Sequence, residues 1–173
     1  MLRLSKLRYG FPIGLLLFFF LDGSISQVFS NQMFNYPYTM VSYLVVLWLV
    51  LANFFENQIS IPLVPWAIAI GVIFDLYYTG IFGVFIFIFP LVILLTRALS
   101  RALPNTFLVN FLIYFIDITM VSGLSYLANS IIHLTSLTSS EFLIYSLAPT
   151  LAYNLAMFVI LYFPIQALFN RLR

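Results

Sequence analysis

Three carboxylic acids lie within long apolar stretches of the chain, where an ionisable side chain is costly. Asp22, Asp75 and Asp117 are flanked by aliphatic and aromatic residues, and no Lys or Arg occurs in the same stretches. A charged group at the centre of a membrane costs about 2.5–3.5 kcal/mol on insertion scales, so each acid requires a reason. We expect these acids to be protonated, hydrogen-bonded to polar neighbours, or next to a water-filled cavity. They serve either a proton or cation path or hydrogen bonding between helices, and we favour hydrogen bonding.

Polar side chains recur on one face of the stretch that contains Asp117. Asn110, Tyr114 and Asp117 are spaced by four and three residues, which places them on one stripe of a helix. Polar groups avoid lipid, so this stripe should point into the interior of the protein.

A ridge of small residues marks the last apolar stretch. Ala148, Ala152 and Ala156 recur at intervals of four, and Thr150 and Asn154 lie on nearly the opposite face. Small residues let helix backbones approach closely where lipid provides no hydrophobic drive. Packing within the chain is the expected use of such spacing, and docking of a partner's transmembrane helix is the alternative. The three alanines are our candidate partner-binding residues.

The sequence contains no recognisable catalytic or metal-binding motif. Cys is absent, and the single His133 has no HExxH context. No phosphate-binding glycine loop and no nucleophile elbow occur. We therefore predict no enzyme activity, no catalytic residue, no metal and no cofactor. The net charge of +2 arises from so few groups that nucleic-acid binding is not expected either.

The elements that position these residues are membrane-spanning helices. Of the 173 residues 64% are hydrophobic and 7% are charged, which excludes an ordinary water-soluble protein. A helix needs about 20 apolar residues to cross a membrane. The sequence predicts one all-α transmembrane domain over residues 1–173, with six spans at about 11–30, 38–55, 59–78, 80–96, 107–132 and 142–169.

The basic residues predict the orientation of these spans, because Lys and Arg in short loops stay on the cytoplasmic side. With six spans and a cytoplasmic N-terminus, all seven fall inside: Arg3, Lys6, Arg8, Arg97, Arg101, Arg171 and Arg173. Both termini are therefore expected in the cytoplasm. A secretory signal cleaved near Ser24-Ile25-Ser26 is the alternative for the first span. The apolar character that continues through Val28 and Phe29 favours a retained helix.

One segment carries a specific resemblance. From Gly71 the chain reads G-x-x-x-D-x-x-Y-x-G, with glycine again at position 83, and Phe89-Pro90-Leu91 and Thr96-Arg97 follow. This pattern resembles the signature region of the rod shape-determining protein MreD family, as does Leu21-Asp22-Gly23 in the first span. The resemblance marks these signature residues: Asp22, Gly71, Asp75, Tyr78, Gly80, Gly83, Pro90 and Arg97. Gly80 suits a tight turn with positive φ, and Gly83 is expected to let the next helix pack closely.

The resemblance implies a role in bacterial cell elongation. MreD-like proteins are non-enzymatic inner-membrane partners of an MreC-like protein and, through it, of the MreB-like filament and of peptidoglycan synthases. Their bundle looks like the substrate-binding subunit of energy-coupling-factor vitamin transporters, so such a transporter subunit is the alternative function. We favour the first function, because the buried acids lack the arginines that an anionic vitamin would need. A bound small molecule is possible but not favoured.

Overall fold

The computed structural model describes residues 3–56 and 61–172, which contain helices and no strand. Four helical segments are long and apolar enough to cross a membrane: Tyr9–Val28, Phe85–Ala102, Phe107–Ile131 and Ser139–Leu172. Two shorter apolar segments, Leu44–Phe55 and Leu63–Thr79, lie between the first and second of these. The chain is an integral membrane protein.

The helices follow one another with short connections. They are α1 (Arg3–Val28), α2 (Ser30–Met33), α3 (Leu44–Phe55), α4 (Leu63–Phe74), α5 (Phe85–Ala102), α6 (Phe107–Ile131), α7 (Ser139–Glu141) and α8 (Ala148–Leu172). Two π-helical turns extend this series, Asp75–Thr79 after α4 and Phe142–Leu147 before α8. The second turn joins α7 and α8 into one continuous helical segment.

The core of the bundle is α3, whose residues are all buried except Asn53. Trp48 at its centre stacks on Phe11 and Phe18 of α1 and contacts Phe169 of α8, with ring centroids 5.0–6.3 Å apart. Its indole N–H donates to the carbonyl oxygen of Phe11 at 3.2 Å, which satisfies the one polar atom of the side chain. The longer helices therefore enclose α3.

The start of α1, the end of α3, the end of α5, the start of α6 and the end of α8 meet at one end of the bundle. Phe55 contacts Phe169, and Phe107 contacts Tyr162, at ring-centroid distances of 5.9 and 4.9 Å. Arg97, Arg101 and Arg171 belong to the same end. We call it the basic end; the opposite end carries α2, α7 and the two π-helical turns.

Several helix boundaries differ from the sequence-based ones. The predicted second span, residues 38–55, is helical only from Leu44, and the predicted fourth span begins at Phe85 rather than at residue 80. The first two residues of the predicted third span, at 59–60, lie outside the described part of the chain, and its helix begins at Leu63. At the starts of α3 and α5, backbone N–H groups are bound by side chains from other parts of the chain.

The role predicted for Gly83 is wrong. Among the described residues, nothing lies within 4 Å of the position that a Cβ would occupy there, and the residue has a φ of 110°. The close approach occurs at Gly71, where a Cβ would lie 2.6 Å from the carbonyl oxygen of Phe85 and 2.8 Å from Cα of Ile86. Gly71 therefore allows the backbones of α4 and α5 to touch.

We expect Gly71→Ala to destabilise the protein by about 1–3 kcal/mol, because the added methyl group overpacks a contact made by backbone atoms. Gly123→Ala in α6 is the matched control, since the space around Gly123 is open. Alanine there should be neutral or stabilising by up to about 1 kcal/mol through helix propensity. Thermal unfolding in a mild detergent measures both variants. Equal stability of the two would contradict the close α4–α5 contact.

Candidate functional site

Residues 38–43 enter the bundle without helical structure. The segment has no regular secondary structure and leads into α3; we call it the extended segment, and its last residues, Ser42 and Tyr43, are buried. A non-helical backbone in an apolar surrounding is stable only if its N–H and C=O groups bind partners within the protein. Thr39 N–H donates to the carbonyl oxygen of Tyr145 and Met40 N–H to that of Met33, both at 2.7 Å. Side chains of α8 bind three further backbone groups of the segment, namely the N–H groups of Val41 and Tyr43 and the carbonyl oxygen of Val41.

Asp22 of α1 binds the point where the extended segment becomes helix α3. Its Oδ1 accepts hydrogen bonds from the hydroxyl of Ser42 at 2.6 Å and from Leu44 N–H at 2.8 Å. Its Oδ2 accepts from Val45 N–H at 2.9 Å. The first N–H groups of a helix have no partner within the helix. An acidic side chain at that position is also stabilised by the positive end of the helix dipole. Asp22 is therefore the cap of α3, supplied by another helix.

Two side chains of α8 bind the middle of the extended segment. The amide oxygen of Asn154 accepts from Tyr43 N–H at 2.9 Å, and its NH₂ group donates to the carbonyl oxygen of Val41 at 2.8 Å. The hydroxyl of Thr150 accepts from Val41 N–H at 3.1 Å. Both side chains are buried, on the face of α8 that lies nearly opposite the three alanines. We call Asp22, Thr150 and Asn154 the segment clamp.

Two cavities flank the clamped segment at the end opposite the basic end. One has a volume of about 320 Å³ and is lined by Asp22, Ser42, Phe74 and Tyr78, among others. The other, of about 210 Å³, is lined mostly by hydroxyl and amide side chains, namely Thr39, Tyr43, Ser122, Ser125, Tyr126, Asn129, Thr135, Ser146 and Thr150. Val41, Tyr43 and Ser125 line both cavities, so the two are neighbours.

Asp75 repeats the capping arrangement in the connection from α4 to α5. Its Oδ1 accepts from Phe85 N–H at 2.9 Å, and its Oδ2 accepts from Gly83 N–H at 2.9 Å and Ile86 N–H at 3.2 Å. Gly80 ends the π-helical turn with a φ of 66°, a conformation that favours glycine. Asp75 thus fixes the start of α5 against the end of α4.

Tyr78 connects this hairpin to α1. Its hydroxyl donates to the carbonyl oxygen of Phe19 at 2.7 Å, and its ring packs on Phe19 and Phe74. The ring also lies so close to Gly23 that a Cβ at that position would be 2.9 Å from ring atoms. Asp22 and Asp75, together with the residues around them, therefore form one continuous arrangement at this end of the bundle.

The chain as a whole matches the family model described as rod shape-determining protein MreD, over residues 6–172. That range covers nearly all of the chain and includes both capping acids. The chain belongs to the rod shape-determining protein MreD family. Its membership makes it a membrane protein of the rod-shape system. Among curated proteins and among solved structures, none matches the chain significantly.

In this MreD family member, the remaining signature residues lie elsewhere. Pro90 is inside α5. Arg97, at the basic end, lies 3.5 Å from a carboxylate oxygen of Glu56 and donates to the carbonyl oxygen of Ile61 at 3.2 Å. Glu56 also accepts from Ile61 N–H at 2.6 Å. Partial burial raises the pKa of Glu56 above its ordinary value, although the bond from Ile61 and the charge of Arg97 oppose this effect. Arg97 and Glu56 therefore hold Ile61, just before α4, against the ends of α3 and α5.

The polar residues predicted for the interior of α6 are all buried. Asn110 donates to the hydroxyl of Tyr162 at 3.1 Å and to the side-chain oxygen of Asn105 at 2.7 Å. Asp117 receives a hydrogen bond from the hydroxyl of Thr96 on α5 at 2.9 Å. The three acids in apolar stretches thus have hydroxyl and backbone partners, and Asp117 is separate from the segment clamp and from the α4–α5 hairpin.

Ala148, Ala152 and Ala156 are exposed on the surface of α8, on the side away from Thr150 and Asn154. The extended segment, including Ser42 and Tyr43, was missed by sequence analysis, because its apolar residues read equally well as helix. Pro37 followed by Thr39 and Ser42 was the one local signal against a helix. Among the described residues, no group of three His, Cys, Asp or Glu side chains lies together to hold a metal.

We expect Asp22→Ala to destabilise the protein by roughly 3 kcal/mol or more, because three buried donors lose their acceptor. Hydrogen–deuterium exchange should accelerate in the peptide that contains Leu44 and Val45, whose N–H groups the carboxylate binds. Ser26→Ala is the matched control, since Ser26 lines the same cavity on the same helix. Unchanged exchange in Asp22→Ala would show that Asp22 is not the cap of α3.

Proposed function

We propose that this MreD family member is a non-enzymatic scaffold of the bacterial cell-elongation machinery, which binds an MreC-like protein and helps to position peptidoglycan synthesis. The match to the family over residues 6–172 carries this proposal. The chemistry of the described acids supports it, because Asp22 and Asp75 use both carboxylate oxygens to accept hydrogen bonds from the protein. Neither acid has an oxygen without a partner, as a general base or metal ligand would.

The proposed architecture is a single domain that crosses the cytoplasmic membrane six times, with both termini in the cytoplasm. Successive helical segments start alternately at one end of the bundle and at the other, which supports six crossings. At about 18 Å the 12-residue helix α3 is shorter than the hydrocarbon core of about 30 Å, and the extended residues 38–43 lengthen its crossing. The cluster of Arg97, Arg101 and Arg171 at one end supports a cytoplasmic basic end.

The orientation is testable by cysteine labelling, because the chain contains no Cys. Ser136, at the opposite end, and Asn105, at the basic end, are both exposed. A cysteine at position 136 should react with an impermeant maleimide in intact spheroplasts. A cysteine at position 105 should react only after permeabilisation. The reverse pattern would overturn the proposed orientation.

The surface of α8 is the proposed site for the transmembrane helix of the MreC-like partner. Ala148, Ala152 and Ala156 are exposed, whereas Thr150 and Asn154 of the same helix are engaged in the segment clamp. The ridge is therefore free of internal packing and small enough for a second helix backbone to approach. Through this partner the protein would act with an MreB-like filament and with peptidoglycan synthases.

Affinity purification in a mild detergent tests both the function and the ridge. The tagged protein should recover an MreC-like protein and wall synthases, and its loss should turn rods into spheres. The double variant Ala152→Leu/Ala156→Leu should lose the partner at an unchanged protein level. Ala69→Leu is the matched control, because Ala69 is also exposed but lies on α4. Full partner recovery with the double variant would remove the ridge from consideration.

The two cavities beside residues 38–43 favour a second candidate, a substrate-binding subunit of a small-molecule transporter that resembles those of energy-coupling-factor systems. Their combined lining of aromatic, hydroxyl and amide groups could hold a vitamin-sized molecule. Asp22 is the one ionisable acid in these linings, and its oxygens are engaged by the protein. Recovery of an ATPase pair and a stoichiometric vitamin, without wall-synthesis proteins, would replace the scaffold proposal with this one.

A further inference from the structure

Among the described residues, three buried polar atoms on α6 make no hydrogen bond. They are the Tyr114 hydroxyl oxygen, Oδ1 of Asp117 and the Ser122 hydroxyl oxygen. Their residues are at most 7% exposed. Buried polar atoms in proteins are almost always hydrogen-bonded, to protein or to water, because an unpaired one costs about 1–3 kcal/mol. All three lie on the buried side of α6, with Ser122 about 140° around the helix axis from Asp117. Unpaired buried atoms of this kind point to bound water.

These three atoms lie between two cavities at opposite ends of the bundle. Asn110 of α6 lines a cavity of about 220 Å³ at the basic end, together with Asn53, Glu56, Ser100 and Asn105. Ser122 of α6 lines the hydroxyl-rich cavity at the opposite end. The helix rises about 18 Å from Asn110 to Ser122. Along the helix axis, Tyr114 and Asp117 divide this distance into steps of about 4.5–7.5 Å. The step from Asp117 to Ser122 also turns about 140° around the helix, so it needs a longer row of water molecules than the other steps.

The contacts of Asp117 favour the uncharged, protonated form of its carboxyl group. The Thr96 hydroxyl lies 2.9 Å from Oδ2 of Asp117 and 2.8 Å from the carbonyl oxygen of Val92, and its one hydrogen serves one of them at a time. No basic side chain among the described residues bonds to Asp117, whose Oδ1 has no partner. A carboxylate in this position would be a buried charge with at most one donor.

Three other titratable groups lie close enough to Tyr114 to interact with it electrostatically. They are Asp22 on α1, Tyr153 on α8 and Asp117 itself. Asp22 is already held by three hydrogen bonds, and Tyr153 lies 3.4 Å from the Ser42 hydroxyl. Asp117 is therefore the acid among these groups with a free oxygen, and Tyr114 stands between it and the basic-end cavity.

We infer that Tyr114, Asp117 and Ser122 line a buried chain of water molecules that joins the two cavities, and that Asp117 binds the proton that moves along it. In each transfer the Asp117 carboxylic acid gives its proton to a water molecule on one side, and the resulting carboxylate takes a proton from a hydronium ion on the other side, which restores the acid. One positive charge crosses per transfer, and no other reactant is needed. This role is independent of the scaffold function.

Purified protein in liposomes loaded with a pH-sensitive dye tests the path. An inside-negative potassium diffusion potential should acidify liposomes that contain the wild-type protein faster than protein-free liposomes. Asp117→Asn should lose this flux, since an amide cannot exchange the proton. Thr119→Val is the matched control and should keep it, because the Thr119 hydroxyl bonds only to Phe115 of its own helix. Wild-type flux at the protein-free rate, or undiminished flux in Asp117→Asn, would overturn the inference.

A second variant keeps the test decisive if Asp117→Asn does not fold. The polar neighbour of the Ser122 hydroxyl is the Tyr43 side chain, and no close hydrogen bond joins them, so Ser122→Val costs the fold little. The valine side chain removes the polar link between Asp117 and the hydroxyl-rich cavity, and the flux should fall well below that of Thr119→Val. Flux in Ser122→Val equal to that in Thr119→Val would contradict the path.

Discussion

The fold depends on how the backbone is hydrogen-bonded where its helices are interrupted. In lipid, a peptide group that leaves the helical pattern has no water to replace the lost bond. Two interruptions occur at the start of apolar helices, before Leu44 of α3 and before Phe85 of α5. At each, the carboxylate of an acid from a preceding helix accepts the free N–H groups. Asp22 serves α3 and Asp75 serves α5, so the two acids perform the same task at two places.

This task explains why acids occur in apolar helices without basic partners. A carboxylate that accepts three hydrogen bonds from N–H and hydroxyl groups has its charge delocalised over those donors, and the positive end of the capped helix adds to the effect. An arginine placed beside either acid as a partner would itself be a buried charge, with its own desolvation cost. Asp117 is different, because a single hydroxyl approaches it, and it is there that the structure leaves polar atoms without partners.

Hydropathy and spacing predicted part of this structure and missed the rest for physical reasons. The apolar stretch at 107–132 became helix Phe107–Ile131 almost unchanged, and Asn110, Tyr114 and Asp117 lie on its buried face. Residues 38–43 were assigned to a helix because hydropathy measures transfer from water and is the same for extended and helical backbone. The clamp could not be foreseen, because Asn154 lies 111 residues away from Tyr43, whose N–H group it binds. Likewise, the spacing of the glycines did not show whether Gly71 or Gly83 lies against the backbone of a neighbouring helix.

The position of Thr150 and Asn154 near the end of the chain has a consequence for biosynthesis. Residues 38–43 leave the ribosome long before these two side chains, yet Val41 and Tyr43 have their backbone partners on α8. During insertion, the early helices must therefore hold an extended segment with unpaired peptide groups until the last helix arrives. The hydrogen bonding of this segment is complete only once α8 is in place, and we expect a chain truncated before α8 to expose the segment to quality-control proteases of the membrane.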